Sequence, residues 1–281
     1  MERFTFLYRS TGYDAVILQR EMISTLPTLE KLLPKPLIMD VDDAIFLYRN
    51  GRAAKYVAAA CSLVVCGNQY LADKFFQWNS NVVVIPTGVD TDRLRPIANR
   101  NINATSSIIG WIGTSGNFSY LESIEPALRK ILSSYPTTRL QIISNQFPTF
   151  LKYLGEQLDF KKWYPGIEND LLPHFTIGIM PLPDNEWARG KCAFKMLQYM
   201  AAGIPVVVTP IGMNAEILAS CSVGLAAQNN EQWLEALSTL LRSSTIAESM
   251  GANGRQLVEK KYSLAVVSLK WQHVLKSVVL Q

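Results

Sequence analysis

The stretch IGIMPLPDNEWARGKCAFKMLQYMAAGIPVVVTPIGMNAEIL, Ile177 to Leu218, constrains the fold more than any other part of the chain. Ile177–Leu182 is a short apolar run closed by Pro183 and Asp184, the pattern of a buried strand. Asp184–Lys191 is a polar loop that carries Glu186, Arg189 and Lys191. Cys192–Ala202 fits a helix, with Gly203 and Pro205 as its C-cap and stop. Val206–Val208 is β-branched throughout and suits a parallel strand covered on both faces. Gly212 then brings the backbone close to whatever lies over the strand ends and opens another helix. Strand, loop, helix, strand in this order is the grammar of an α/β chain with a parallel sheet.

A cationic loop and a helix start therefore stand at the carboxyl end of a parallel strand. Ligands of α/β sheets bind there, and helix amides add positive potential for phosphate. Lys191 and Lys195 are four residues apart, so on one helix they share a face. Two like charges side by side repel unless an anion lies between them or solvent screens them. The pair is thus either an anion site or a solvated face.

Length and composition narrow the classes. A chain of 281 residues suits one large or two medium domains, and 48% hydrophobic with 18% charged residues describes a packed globule. A net charge of +4 agrees with anionic substrates or an anionic membrane surface. No dense Lys/Arg run of the kind nucleic-acid binding needs is present, so no nucleic-acid partner is expected. Cys61, Cys66, Cys192 and Cys221 form no CxxC pair and no zinc spacing, which favours free thiols in a reducing compartment. His174 and His273 alone exclude a His-rich metal site. Glu2, Arg3 and Arg9 stand where a signal peptide would need apolar residues, and no apolar run is long enough to span a membrane. A cytoplasmic protein is expected, with peripheral contact at the inner membrane face left open.

In chain order, Phe4–Arg9 is ambiguous, Ala15–Gln19 reads as a buried strand and Pro27–Leu33 as a short helix. Leu37–Val41 is a strand that runs into Asp40, Asp42 and Asp43. Ala53–Ala60 reads as helix, Ser62–Cys66 as strand, and Asn68 as the cap of a helix Gln69–Trp78. Val82–Pro86 is a strand leading to a turn at Gly88. Asp90–Asn103, polar and carrying Pro96, is the expected linker. A second series follows: strand Ile108–Ile112, a small-residue turn at Gly113–Asn117, helix Tyr120–Ser134, strand Leu140–Ser144 and helix Thr149–Glu156. Strand Asp159–Trp163 and helix Asn169–Phe175 lead to the stretch above. Beyond it come an edge strand Val223–Ala226, amphipathic helices Glu231–Leu241 and Ile246–Glu259, and a long helix Ser263–Leu280. The organisation expected is a shortened Rossmann-like domain over residues 1–96, a second over 97–265, and a helix 266–281 returning to the first.

Three motifs then point to a family. VIPTGVDTDRLRP (Val84–Pro96), GWIGTSGN (Gly110–Asn117) and the IMPLPDNEWARGKCAFKMLQYMAAGIPVVVTPIGMNAEIL stretch resemble retaining glycosyltransferases of the GT-B class, family 4 type, the glycosyl transferases group 1. The resemblance runs from about Tyr13 to the C-terminus, and the last motif is its most specific part. It implies two Rossmann-like domains facing a cleft, with the second binding a nucleotide-diphosphate sugar. It further implies transfer of a hexose to a saccharide or lipid-linked acceptor with retention, in cell-surface polysaccharide or glycolipid synthesis, with no cofactor and no metal.

The departures are specific. The family's two glutamates, eight positions apart, fall on Gly190 and Gln198. Gln198 can still hold ribose hydroxyls through its amide, whereas Gly190 has no side chain to offer. The Arg/Lys pair that many relatives place after the glycine loop is absent, since Thr114–Ser119 contains no cation. By this inference Lys191, Lys195 and Arg189, with Phe194 beside them, take over the diphosphate. The chain also starts near what the family makes the middle of its first domain. It is expected to be a short natural member, a fragment, or one completed by a partner chain or a second copy at its open strand edges. That keeps an alternative alive: a non-catalytic nucleotide-sugar-binding or scaffold protein.

Each candidate residue has a plain structural reading beside the functional one. Gly113 and Thr114 either form an amide nest for the donor phosphate or make an ordinary strand-to-helix turn. The resemblance places Gly212, Met213, Asn214 and Glu216 against the donor's sugar and phosphate, while Glu216 would equally suit a first helical turn. Asp40, Asp42 and Asp43 are expected to raise one another's pKa, and Asp42 and Asp43 are the candidates for acid/base work or for holding the acceptor hydroxyl. The other reading is a helix N-cap with solvated acids. Arg20 and Glu21 would line the same cleft. His174 is expected to pack near a helix end. Trp163 either packs in the core or, with Tyr164 and Pro165, shapes a base pocket. A dehydrogenase is disfavoured because no GxGxxG follows the first strand, and an epimerase finds little support in so few histidines.

Overall fold

Apolar runs that alternate with helices become parallel strands in the computed structural model, which describes residues 10–21, 26, 29–97 and 106–280. Phe4–Arg9, Pro27 at the start of the first expected helix, and the later part of the expected linker lie outside the described residues. Contacts divide the chain into two units. The first comprises Met1–Gly88, Asn185–Cys192 and Ala265–Gln281, and the second Val89–Asp184 and Ala193–Leu264.

The first unit is built on strands β1 (Val16–Gln19), β2 (Leu37–Val41), β3 (Leu63–Cys66) and β4 (Val82–Val84), all parallel in the order β1-β2-β3-β4. Every residue of β3 is buried, as an interior parallel strand requires. Ile38, Leu63, Val65 and Ile85 form a core that Val267 completes. Trp271, Val274, Leu275 and Val278 pack on the same core. Their three- and four-residue spacing makes one stripe of the final helix, Leu264–Val279, so the last element of the chain covers the first sheet. Asn68 caps the helix Gln69–Phe75, its Oδ1 accepting from Leu71 N at 2.9 Å.

The second unit holds β5 (Ile108–Ile112), β6 (Arg139–Ser144), β7 (Leu158–Lys162), β8 (Ile177–Met180), β9 (Val206–Val208) and β10 (Gly224–Ala226). Their order is β10-β9-β8-β5-β6-β7, all parallel. Winding reverses between β5 and β8, the switch point where open α/β sheets leave a crevice at their carboxyl ends. One face of this sheet is covered by helices Glu125–Ser134 and Asn230–Arg242, with Leu128, Ile131, Trp233 and Leu237 against Ile109, Trp111, Ile142 and Ile179. On the other face the Tyr199 ring lies where a Cβ on Gly178 would stand. Its hydroxyl accepts from Ile112 N at 3.0 Å and donates to Ile179 O at 3.4 Å. The β5–β8 register covers Ile109↔Ile177 and Gly110↔Gly178, so Tyr199 ties the two strands together just beyond their ladder.

Several expected elements differ in extent. The helix foreseen over Tyr120–Ser134 is two helices, Phe118–Glu122 and Glu125–Ser134. Pro126 has no N–H to continue the ladder of the first helix but is tolerated in the first turn of a new one, so the break falls just before it, at Ser123 and Ile124. Thr149–Gln157 is a 3-10 segment that ends its regular turns at Gly155, φ 55°. The stretch expected as helix Asn169–Phe175 is the short helix Ile167–Leu171 followed by a 3-10 turn, Leu172–His174, around Pro173. The start of the expected linker is held rather than loose. Val89 N donates to Tyr262 O at 2.8 Å, and Arg255 donates to the carbonyls of Thr91, Leu94 and Ala201.

Candidate functional site

Within the second unit the candidate residues gather at the switch point. Gly113 follows β5 directly, and Lys195 stands on the helix Phe194–Ala201 that Tyr199 anchors to β5 and β8. A Cβ on Gly113 would come within 2.5 Å of the Trp111 ring and 3.1 Å of Lys195 Cε. Glycine is therefore required by close approach, and the lysine stem lies directly against the turn. Gln198 follows three residues later on the same helix, hence on the same side. It is only 9% exposed. Phe194, the first helical residue, is exposed.

Two expectations about this region change. Lys191 and Lys195 do not share a helix face, because the helix begins at Phe194 and Ala193 before it is left-handed at φ 52°. The Gly113 N–H is not available to a phosphate nest either, since it donates to Ile143 O at 3.0 Å, and the Ser115 N–H goes to Asn145 Oδ1 at 2.7 Å. Thr114, exposed, accepts from Asn117 Nδ2 at 3.2 Å through its hydroxyl.

The helix Gly212–Ser220 opens after β9, with Gly212 at φ 49°. Met213 and Asn214 are buried, and Asn214 Nδ2 donates to Thr209 O at 3.2 Å, so that side chain fastens the helix to the strand exit. What this segment presents to a ligand is backbone. Glu216, expected in the first turn, lies one turn further in and is exposed; its charge and, more strongly, burial push the Tyr262 phenol upward.

In the first unit the Arg20 side chain pairs with two of the three aspartates, Asp42 and Asp43. Arg20 Nε donates to Asp42 Oδ1 at 2.8 Å and its terminal nitrogen to Asp43 Oδ2 at 2.6 Å. Asp40, the penultimate residue of β2, is pushed up to about 6, first by burial and then by Asp42, with Arg20 opposing. Asp43 is raised by burial, against the pull of Lys191 and Arg20. Mutual repulsion is thus secondary to desolvation here. The capping alternative is not realised, because the 3-10 segment that follows starts after Ala44 with no side-chain cap. Glu21 is also raised by burial.

The loop Asn185–Cys192 belongs to this first unit and contains a short helix, Glu186–Arg189, capped by Asn185. Lys191 Nζ lies 5.4 Å from the centroid of the Trp187 ring. Arg189 is exposed. A Cβ on Gly190 would come within 2.7 Å of Ala44 Cβ, so the place where the resembled family carries its first glutamate has no room for a side chain. Cys192 is buried, donates to Asp42 O at 3.2 Å, and its thiol is pushed up to about 12, chiefly by burial.

Of the remaining candidates, His174 is exposed at the end of its 3-10 turn. Trp163 is not a core residue: it is 43% exposed just past β7, its indole donates to Glu168 Oε1 at 3.3 Å, and Tyr164 is 53% exposed. Sequence reasoning missed the Arg20 fork, the Tyr199 bridge and the second use of Asn68, all of which join residues far apart in the chain. Among the described residues no group of three or more His, Cys, Asp or Glu could hold a metal ion. Among the same residues no helix is long and apolar enough to cross a membrane.

Comparison with known proteins follows the geometry. No curated protein sequence matches the chain significantly. Among solved structures, HepE from Anabaena, crystallised with UDP and glucose, superposes with a TM-score of 0.77 at 13% identity, covering 98% of this chain and 81% of that one. Sucrose-phosphate synthase from Thermosynechococcus elongatus gives 0.73 at 13% identity, covering 98% and 76%. A glycosyltransferase from Rickettsia africae gives 0.70 at 16% identity, covering 99% and 80%. The chain therefore has the α/β fold of these enzymes, with two Rossmann-like parallel sheets, and its residues 107–243 match the family of glycosyl transferases group 1.

Proposed function

We propose that the chain is a glycosyltransferase that moves a hexose from a nucleotide-diphosphate sugar to a saccharide or lipid-linked acceptor, with retention of configuration. The observation that carries this reading is Lys195 lying against the Gly113 turn at the switch point, inside the segment that matches the glycosyl transferase family. A cation at the carboxyl end of β5, next to a turn with no Cβ, suits a diphosphate. Gln198, on the same helix, suits ribose hydroxyls through its amide. HepE, of the same fold, was solved with UDP-glucose.

In this reading the reaction is driven by charge. As the glycosidic bond to the diphosphate breaks, negative charge grows on the leaving phosphate oxygen. Lys195 offsets that charge without a covalent step. The backbone opening the Gly212–Ser220 helix serves the donor's sugar and phosphate. Asp42 and Asp43 hold the acceptor hydroxyl, with Arg20 orienting both. No cofactor beyond the donor is required, and the place of work is the cytoplasm or the inner membrane face.

The test is a thermal-shift panel of UDP, GDP, ADP and dTDP with their sugars, on wild type and Lys195→Ala. One nucleotide should raise Tm by several degrees, as binding to the folded state alone demands, and the variant should lose most of that shift. Well-folded protein that no nucleotide stabilises would overturn the donor site and leave the non-catalytic scaffold.

A further inference from the structure

The break between the helices Phe118–Glu122 and Glu125–Ser134 leaves room beside it. Ser123 and Ile124, at the break, line a cavity of about 620 Å³ together with the segments that leave β8, β9 and β10. Every residue that lines it belongs to the second unit. Its size falls within the roughly 300–1,000 Å³ of small-molecule sites. Gly113, Lys195 and Gln198 are not among the lining residues, so the cavity is separate from the donor turn.

Floor and rim differ in chemistry. Ile124, Ile211 and Trp233 line the cavity and are nearly buried, which makes the floor apolar. Around them stand the hydroxyls and amides of Ser119, Ser123, Thr209, Gln228, Asn229 and Asn230. The bonds that three of these already make decide what each can offer. Thr209 Oγ1 accepts from Leu182 N at 3.0 Å, and its hydroxyl can still donate. Ser123 Oγ donates to Tyr120 O at 2.7 Å, and its oxygen can still accept. Asn229 Oδ1 accepts from Gln232 N at 2.9 Å as the cap of the helix Asn230–Arg242, so its amide offers the NH2 arm. Gln232 Oε1 in turn accepts from Gln228 N at 2.8 Å, which pins this part of the rim.

An anion would want donors and positive charge. Here acceptors stand among the donors, Asp184 is on the wall, and no Lys, Arg or His lines the cavity among the described residues. A hydroxyl both donates and accepts, and a pyranose carries hydroxyls at its edge and C–H groups on its face. An apolar floor under a mixed rim matches that pattern, since each buried polar group then finds a partner. We infer that this cavity binds an uncharged saccharide, at a site separate from the donor turn. The binding itself does not rest on the donor-site reading.

Saturation-transfer NMR on the full-length chain tests it, with glucose, galactose, mannose, N-acetylglucosamine, maltose and cellobiose as probes. At least one sugar should bind saturably. Ser123→Trp, which fills the cavity from the helix break, should abolish that binding. Asn229→Asp keeps the capping acceptor and removes the NH2 arm, so Kd should weaken about tenfold, the size of one lost hydrogen bond, with Tm unchanged. Lys195→Ala should bind the sugar as wild type does, and uridine should not displace it. No saturable signal from any sugar of the panel overturns the proposal. So does sugar binding that survives both cavity variants or that is lost in Lys195→Ala. Displacement by uridine overturns it too, because the cavity would then be a base pocket. Should Ser123→Trp not fold, Asn229→Asp decides alone. A chain that binds sugar but no nucleotide keeps this site and loses the donor reading; one that binds nucleotide but no sugar does the reverse.

Discussion

Asp40 carries a cost that pH can reveal. Its carboxyl titrates at about 6 in the folded chain against 3.8 when unfolded, because burial and Asp42 disfavour its charge. Between those values the folded state binds more protons than the unfolded one, so the group's contribution to stability falls as pH rises from about 4 to about 6. Above that window the full cost is present; below it the cost is gone. Asp40→Asn should therefore raise stability by about 1–2 kcal/mol at pH 7.5, after discounting for solvent screening, and by nearly nothing at pH 4. Denaturant melts of both proteins across this range would check it, and a gain independent of pH would point to packing instead. At this scale the chain was partly readable. Lys195 and Gln198 stood out because a motif of fixed spacing carries them. Arg20 did not, because its partners are 22 and 23 positions away and no local pattern announces them. Asn68 was legible as a cap, since its acceptor arm serves a neighbour, but its other arm serves a residue 122 positions on.

The elements were the most legible part, since apolar runs and stop residues are local signals. Strands β5 and β9 have the bounds their composition suggests, whereas helices with an internal Pro or Gly came out divided. What pattern could not give is how one helix is held at the switch point. Tyr199 looks like ordinary apolar content in the sequence, yet its hydroxyl satisfies the Ile112 N–H beyond the β5–β8 ladder. Tyr199→Phe keeps the ring that fills the space over Gly178 and removes only that oxygen. A buried donor left unpaired should cost about 1–3 kcal/mol. Chemical denaturation measures the loss, and a variant as stable as wild type would show that the bridge contributes nothing net. Because the same helix bears Lys195 and Gln198, nucleotide affinity should fall with it.

At the scale of the whole molecule the division into units does not follow the order of the chain. Asn185–Cys192 and the residues from Ala265 onward pack with the first sheet, although the stretches around them belong to the second. A chain stopped after Leu264 should keep the second unit, whose core of Ile109, Trp111, Leu128, Ile142 and Trp233 is untouched. It should lose cooperative melting of the first, because Ile38, Leu63, Val65 and Ile85 would face water where the final helix now lies. Hydrogen exchange resolved by segment would show strands β1–β4 unprotected and β5–β10 protected; uniform protection would sink the idea.

The covering of the first sheet by the final helix also has a meaning in time. A ribosome releases β1 to β4 long before it releases the residues that roof them, so for most of synthesis that sheet has one bare face. The second unit, begun later, has all its parts as soon as residue 264 is out. The amino-terminal half is thus started first and finished last. During that interval its exposed apolar face depends on whatever holds nascent chains apart.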